Sequence, residues 1–277
     1  MDRYALIGHP VAHSKSPAIH AAFAAQTGQA MRYERILAPL DGFADTVRSF
    51  IAEGGRGMNV TVPFKLEAFA LADHLSPRAR AAGAVNTLSF RADGIHGDNT
   101  DGVGVVRDLV VNLACPLAGR RVLLLGAGGA ARGALQPLIE AGPAALHIAN
   151  RTAAKAIELA EQFHAMAGAV PLTASGFDDI GSTAFDVIIN ATSASLSAAA
   201  PAIPDTVYAP GALAYDMMYG NAPTAFLVAA SAAGAGRRAD GLGMLVEQAA
   251  ESFLIWRGVR PDTAPVLADL RAALAGG

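Results

Sequence analysis

Apolar and polar residues form short segments along the chain. Segments with the apolar pattern of a strand alternate with segments that have the pattern of a helix. Runs rich in branched and aromatic residues at 4–7, 33–37 and 58–62 predict strands. The amphipathic segments between them predict helices, and 84–97 predicts a hairpin. Strands that alternate with helices indicate an α/β fold.

One stretch, residues 120–135, shows this switch most sharply. Residues 122–125 are consecutively apolar, as in a strand buried on both faces of a parallel sheet. A glycine-rich turn and an alanine-rich predicted helix over 130–141 follow at once. With Gly126, Gly128 and Ala131, this is the context of a dinucleotide-binding fingerprint. An ordinary strand–helix turn is the alternative. Pro137 is expected to kink the helix.

The next predicted strand, 145–149, bears on which dinucleotide is bound. It ends in Asn150, Arg151 and Thr152, without the acidic residue that binds the ribose hydroxyls in NAD sites. Arg151 and Lys155 suit a 2′-phosphate instead. We therefore predict NADP(H) rather than NAD(H), with solvated surface charges as the alternative.

Later patterns complete a two-domain organisation. Further strands are predicted at 169–172, 185–190, 213–217 and 237–239, with a helix at 224–233 and a surface loop at 194–200. Two helices follow residue 241, and we expect them to return to the first domain. The predicted fold is α/β: a substrate domain at 1–100, a connecting helix and linker at 101–116, a doubly wound Rossmann-type NADP domain at 117–240, and C-terminal helices at 241–277.

Composition narrows the class of protein. The 277 residues are 52% hydrophobic and 16% charged, which fits a large core, and the net charge of −3 favours neither nucleic acid nor an anionic membrane. Cys115 is the single cysteine, so no intrachain disulfide is possible. With no signal peptide and no apolar run near ~20 residues, we expect a cytoplasmic protein without a membrane span.

Polar side chains cluster after predicted strands, where open α/β sheets bind ligands. They lie at 13–16, 59–65, 86–87 and 99–101, and they provide hydroxyls, amides, one ammonium and one carboxylate. That mixture suits a small polyhydroxylated acid. Taken singly, the same residues could be helix caps, such as Ser16 before Pro17, turn formers or solvated charges.

Eight ordered motifs resemble those of the shikimate dehydrogenase family and cover nearly the whole chain. The first comprises Gly8, Pro10, His13, Ser14, Ser16, Pro17 and His20. The others run from Asn59 to Lys65, Ala82 to Thr87, Gly97 to Gly102, Gly126 to Ala130, Asn150 to Thr152, Asp216 to Tyr219 and Gly241 to Ala249.

The resemblance implies reversible, NADPH-dependent reduction of 3-dehydroshikimate to shikimate. It makes Lys65 and Asp101 the catalytic pair, with Lys65 as principal acid/base, and assigns no metal ligand. The substrate-binding residues it implies are Ser14, Ser16, Thr61, Lys65, Asn86, Asp101, Tyr219 and Gln248. The cofactor-binding residues are Gly126, Ala127, Gly128, Gly129, Ala130, Asn150, Arg151, Thr152, Lys155, Met217 and Gly241. We expect a small-molecule substrate, no nucleic-acid or membrane partner, and a monomer or homodimer.

Departures from the family pattern leave alternatives open. Ser195 stands where a glycine is usual, which puts the shape of the cofactor-side loop in doubt. Gln248 could instead face solvent. Rival functions are an NAD-dependent quinate/shikimate dehydrogenase, a methylene-tetrahydrofolate dehydrogenase type of enzyme, and a dinucleotide-sensing protein without catalysis. Arg151 and Lys155 argue against the first, and intact Lys65 and Asp101 argue against the last.

Overall fold

The computed structural model describes residues 1–192 and 199–275, and the chain divides into two compact units. The first unit comprises Met1–Gly104 and Val246–Ala268, and the second comprises Val105–Leu245 and Asp269–Gly277. The predicted loop at 194–200, including the position of the missing glycine, lies largely outside the described residues. No helix in the described part of the chain is long and apolar enough to cross a membrane.

The first unit is built on a mixed six-stranded sheet. Its elements are β1 (Asp2–Gly8), α1 (Ser16–Thr27), β2 (Met31–Leu37), α2 (Phe43–Ala52), β3 (Gly55–Val60), α3 (Lys65–Leu71), β4 (His74–Leu75), α4 (Pro77–Ala82), β5 (Thr87–Arg91) and β6 (Gly94–Asp98). The strand order is β2-β1-β3-β5-β6-β4. The β5 pairings with β3 and β6 are antiparallel, so the predicted hairpin is confirmed.

Local chemistry explains where the first helices begin. The α1 helix starts at Ser16 with Lys15 as its N-cap and no side-chain cap bond, so the expectation that Ser16 caps it was wrong. Ser14 Oγ instead accepts from the backbone N–H of Ser16. Ser76 does cap α4, because its hydroxyl accepts from Ala79 N–H.

The second unit contains a fully parallel sheet. After α5 (Asp101–Arg107) and a π-helical turn (Asp108–Asn112) come β7 (Arg121–Leu125), α6 (Gly129–Glu140), β8 (Ala145–Asn150), α7 (Ala153–Ala167), β9 (Leu172–Gly176), β10 (Phe185–Asn190), β11 (Tyr208–Asp216), α8 (Ala225–Ala232) and β12 (Arg237–Ala239). The order β12-β11-β10-β7-β8-β9 reverses at β7, as in doubly wound dinucleotide-binding sheets. The predicted fold class is confirmed.

Two C-terminal helices end the chain, α9 (Leu242–Arg257) and α10 (Ala264–Ala275). Most of α9 belongs to the first unit, where Trp256 donates from its ring nitrogen to the Leu88 carbonyl and stacks on Tyr4. Of the two helices predicted to return to the first domain, α9 therefore does so, whereas α10 is divided between the units after Ala268.

Several local predictions need correction. β9 starts at Leu172 rather than ending there, because Gly168 caps α7 and the residues up to Pro171 form a turn. The connecting helix predicted within 101–116 changes to π-helical geometry at Asp108, whose buried carboxylate accepts from Tyr215 and Asn112. The end of α6 needs no such correction, because the helix includes Pro137 and ends at Glu140, one residue from the predicted end.

Candidate active site

Lys65 and Asp101 form an ion pair in the first unit. Lys65 begins α3, Asp101 begins α5, and Lys65 Nζ donates to Asp101 Oδ2 at 2.6 Å. The two side chains are 33% and 16% exposed. The pair is therefore partly sheltered, yet the ammonium remains open to an approaching small molecule.

Asn86 fixes the other side of the Asp101 carboxylate. Its Nδ2 donates to Asp101 Oδ1 at 2.8 Å and to Thr100 Oγ1 at 3.0 Å, and its Oδ1 accepts from Thr100 N–H at 2.9 Å. Both carboxylate oxygens of Asp101 thus have a defined donor. This arrangement limits rotation of the carboxylate and, through it, of the Lys65 ammonium.

The α9 helix continues the same polar network. Gln248 Oε1 lies 3.4 Å from Thr100 Oγ1 and 3.5 Å from Asn86 Nδ2. One turn later, Ser252 accepts from Asn59 Nδ2 at 2.9 Å and lies at hydrogen-bond distance from Thr87. Gln248 therefore faces the network rather than solvent. Sequence reasoning had not identified Ser252, although its i, i+4 spacing from Gln248 puts both on one helix face.

Two serines lie on the loop that enters α1. Ser14 Oγ donates to Ser16 Oγ at 3.2 Å, and the Arg35 guanidinium donates to the Ser14 carbonyl at 2.6 Å. Arg35 was not singled out from the sequence, because nothing near it along the chain marks it. Thr61 follows β3, and its backbone N–H donates to the Ile7 carbonyl at 3.0 Å.

A second ionic cluster in the first unit also escaped sequence reasoning. Arg78 donates to both oxygens of Asp98, at 2.6 and 2.9 Å, and to Glu251 at 2.9 Å. Burial by itself would lower the pKa of Arg78, but the two carboxylates raise it above its ordinary value. This cluster joins α4, β6 and α9. Its member in β6, Asp98, lies three residues before Asp101 in the sequence.

The glycine turn of the second unit presents its backbone openly. Gly126 has φ of 112°, and a Cβ there would lie 3.1 Å from the Ala191 carbonyl. A Cβ on Gly128 or Gly129 would meet nothing within 4 Å, so these backbones border open space. Ala131 is fully buried where α6 passes the sheet. The turn also contains Ala127, and α6 begins directly after it with Gly129 and Ala130.

Other predicted cofactor residues line the carboxyl ends of the same parallel strands. Asn150 ends β8 and donates to the Thr152 carbonyl at 3.0 Å. Arg151 and Lys155 are exposed there.

Met217 follows β11, and its backbone N–H donates to the Asn190 backbone carbonyl at 3.0 Å. Gly241 packs so closely against the Met217 carbonyl that no Cβ would fit. Tyr219 is half-buried, and burial together with Asp240 raises the pKa of its hydroxyl.

The predicted residues are thus divided between the units. The first unit contains Ser14, Ser16, Thr61, Lys65, Asn86, Asp101 and Gln248. The second unit contains Tyr219 and the whole predicted cofactor set.

Three family models match this chain along most of its length. They are the shikimate dehydrogenase substrate binding domain at residues 6–88, shikimate / quinate 5-dehydrogenase at 108–200, and the shikimate 5'-dehydrogenase C-terminal domain at 241–271.

Individual proteins give the same result. A shikimate dehydrogenase (NADP(+)) of Aromatoleum aromaticum is 65% identical over all of this chain and 99% of its own length. The crystal structure of an Ael1 enzyme from Pseudomonas putida has a TM-score of 0.92 at 50% identity, covering 98% of both chains. A Thermus thermophilus shikimate 5-dehydrogenase in complex with NADP(H) and shikimate has a TM-score of 0.85 at 34% identity, covering 99% of this chain and all of that one. As its eight ordered motifs predict, the chain belongs to the shikimate dehydrogenase family.

Proposed function

We propose that this protein catalyses the reversible reduction of 3-dehydroshikimate to shikimate with NADPH, and that Lys65 and Asp101 carry the proton chemistry. The observation that carries the proposal is the 2.6 Å ion pair, anchored by Asn86, in a chain 65% identical to an NADP(+) shikimate dehydrogenase. Relatives of that name confirm the predicted oxidoreductase class and cofactor.

Lys65 acts at the substrate ketone. NADPH, when bound, supplies a hydride to the carbonyl carbon, and the carbonyl oxygen gains negative charge. The Lys65 ammonium stabilises that charge and gives the oxygen a proton, so a hydroxyl forms and a neutral amine remains. In the reverse direction the amine takes the hydroxyl proton. Asp101 keeps the Lys65 side chain oriented in both directions through its 2.6 Å hydrogen bond.

The neighbouring amides and hydroxyls would hold the substrate. Asn86 donates to Asp101 and lies at hydrogen-bond distance from Gln248, so both amides are placed to bind ring hydroxyls. Ser14 and Ser16 present two adjacent hydroxyls, suited to a carboxylate or hydroxyl of the substrate. Thr61 and Tyr219 complete the proposed set. A methylene-tetrahydrofolate dehydrogenase would not need this set of hydroxyl-binding groups.

The glycine turn of the second unit is suited to bind the phosphate groups of a dinucleotide. Open backbone at Gly128 and Gly129 lies at the N-terminus of α6, where unpaired N–H groups favour an anion. Arg151 and Lys155, exposed after β8, are proposed to bind the 2′-phosphate that distinguishes NADP from NAD. A cytoplasmic location and a monomer or homodimer remain predictions.

The deciding experiment follows NADPH absorbance with 3-dehydroshikimate, and repeats it with NADH. The reverse direction is measured with shikimate and with quinate, each with NADP and NAD. We expect turnover with 3-dehydroshikimate and a marked preference for NADPH. Comparable rates with quinate and NAD would support the quinate/shikimate rival, and tight NADPH binding without turnover would support the sensing protein.

A further inference from the structure

Two histidines face each other on a surface of the first unit that the proposed reaction does not use. His74 in β4 pairs in register with His96 in β6, so both side chains leave the sheet on the same face. Their ring centroids are 4.5 Å apart.

Asp93, in the turn between β5 and β6, brings a third ligand to the same place. His96 Nε2 lies 3.0 Å from Asp93 Oδ1, and His74 Nε2 lies 3.2 Å from the Asp93 backbone carbonyl. One ligand atom from each of the three side chains lies within 4.8 Å of the others. Ligands of a tetrahedral ion with bonds of 2.0–2.1 Å are about 3.3 Å apart. Modest side-chain rotations would therefore bring the three ligand atoms to coordination distance from one ion.

The backbone that carries these ligands is held in place. Asp73 Oδ2 accepts from Ile95 N–H at 2.8 Å, which ties the chain before β4 to the start of β6. Gly94 has φ of 130° and packs against the Asp73 carboxylate, so the turn depends on glycine there. The ligands therefore project from a fixed frame, although Asp93 itself is 65% exposed.

Open space adjoins the two rings. Both histidines line a cavity of about 170 Å³, together with Ser89, Arg91 and Asp98. A water molecule could therefore complete a fourth coordination position, as in zinc sites with three protein ligands. Two imidazoles and one carboxylate suit Zn²⁺, Ni²⁺ or Cu²⁺ far better than Mg²⁺ or Ca²⁺, which prefer oxygen ligands.

We propose that His74, Asp93 and His96 bind one divalent transition-metal ion of the class that includes Zn²⁺ and Ni²⁺. The ion would cross-link edge strand β4 to the β5–β6 hairpin. Asp93 lies at the turn of that hairpin, whereas Asp101 follows its opposite end. The ion would therefore lie apart from Lys65 and Asp101 along the hairpin, and it would join strands rather than take part in the proposed reaction.

Calorimetric titration of the tag-free full-length chain with ZnCl₂ and with NiCl₂ tests the proposal. We expect one equivalent to bind, and His74→Gln or His96→Gln to weaken that binding at least about tenfold, since each removes one of three ligands. His164→Gln, which removes an exposed histidine of α7, is the matched control and should bind like the parent chain.

Thermal unfolding with and without metal gives a second readout. Bound metal should raise the midpoint of the parent chain and of His164→Gln, but not that of His96→Gln, because only an ion bound to the folded state stabilises it. Midpoints measured in EDTA should agree among all variants, which shows that the exposed ligands are not needed for folding. Absence of saturable one-to-one binding, or equal affinity in the parent and in both histidine variants, would overturn the proposal.

Discussion

The two units present their predicted binding groups in opposite ways. In the first unit, Lys65, Asp101, Asn86 and Thr100 are side chains bonded to one another over 2.6–3.0 Å. In the second unit, the backbone of the glycine turn borders open space. The exposed cations Arg151 and Lys155 follow more than twenty residues later in the sequence. Proton chemistry requires groups held at fixed distances, whereas a flexible dinucleotide can be bound by backbone N–H groups and isolated charges.

Replacing Lys65 with alanine should give the largest effect. The change removes the proposed proton donor and leaves the carbonyl oxygen without a cation, so kcat should fall at least ~10²-fold. Steady-state rates with saturating NADPH and 3-dehydroshikimate measure it.

Lys155→Ala is the matched control in the second unit. The same substitution there should raise the KM for NADPH and leave kcat nearly unchanged, because Lys155 is proposed to bind the cofactor only. If Lys65→Ala kept near-normal turnover, or if both variants altered only KM, the contrast between the two units would be wrong.

Buried His20 makes the first unit sensitive to acid. Its ring is fully buried and stacked on Tyr33, and among the described residues neither ring nitrogen has a hydrogen-bond partner. Burial lowers the pKa of His20 to about 3, and the nearby Asn59 amide opposes this only in part. In the second unit, burial also lowers the pKa of His147, but that ring bonds to the hydroxyls of Thr173 and Ser175.

Between about pH 3 and 6.5, His20 therefore binds a proton in the unfolded state but not in the folded state. With a pKa near 6.5 when unfolded, His20 should cost about 2 kcal/mol of stability as pH falls from 7 to 5, and almost nothing above pH 7. Urea unfolding, followed by fluorescence of the single tryptophan, Trp256, reports on this unit. His20→Asn should flatten the pH dependence, and exposed His164→Asn should not. An unchanged slope in His20→Asn would contradict the assignment.

Arg151→Asp should have an intermediate effect on cofactor choice. Loss of a cation at the 2′-phosphate and gain of a repelling carboxylate should raise the KM for NADPH roughly tenfold or more, and should affect NADH far less. The ratio of kcat/KM for the two cofactors is the measurement. Arg120→Asp, at an exposed arginine before β7, controls for general charge. An unaltered preference in Arg151→Asp would identify Arg151 as a solvated surface charge.

In both units, an element could be predicted from the sequence where its pattern is local. The strand β7 is buried on both faces, so its apolar run from Val122 to Leu125 is visible in the sequence. The two-residue β4 has no such pattern, because its pairing with β6 depends on partners more than twenty residues away. The π-helical turn at Asp108 likewise has no local signal, and the Tyr215 hydroxyl that donates to Asp108 lies 107 residues further along the chain.

The candidate site shows the same limit. Lys65 and Asp101 were predicted through motifs, and their 2.6 Å contact had no local signal because 36 residues separate them. Arg35 and the group formed by His74, Asp93 and His96 were missed for the same reason, whereas Ser252 could have been found from its i, i+4 spacing to Gln248. Residues that act together across a sheet are recognisable only when a motif already marks each of them.

Substitutions at two glycines of one turn separate an effect on folding from an effect on cofactor binding. Gly128 is extended and faces open space, so Gly128→Ala should leave unfolding unchanged while raising the KM for NADPH by roughly tenfold, because a methyl group meets the phosphates. Gly126 has φ of 112°, so Gly126→Ala should instead lower the free energy of unfolding by about 1–3 kcal/mol. Urea unfolding and cofactor kinetics on both variants measure the two effects. Normal NADPH kinetics in Gly128→Ala would show that the backbone there does not approach the cofactor, and the second unit would then need another phosphate site.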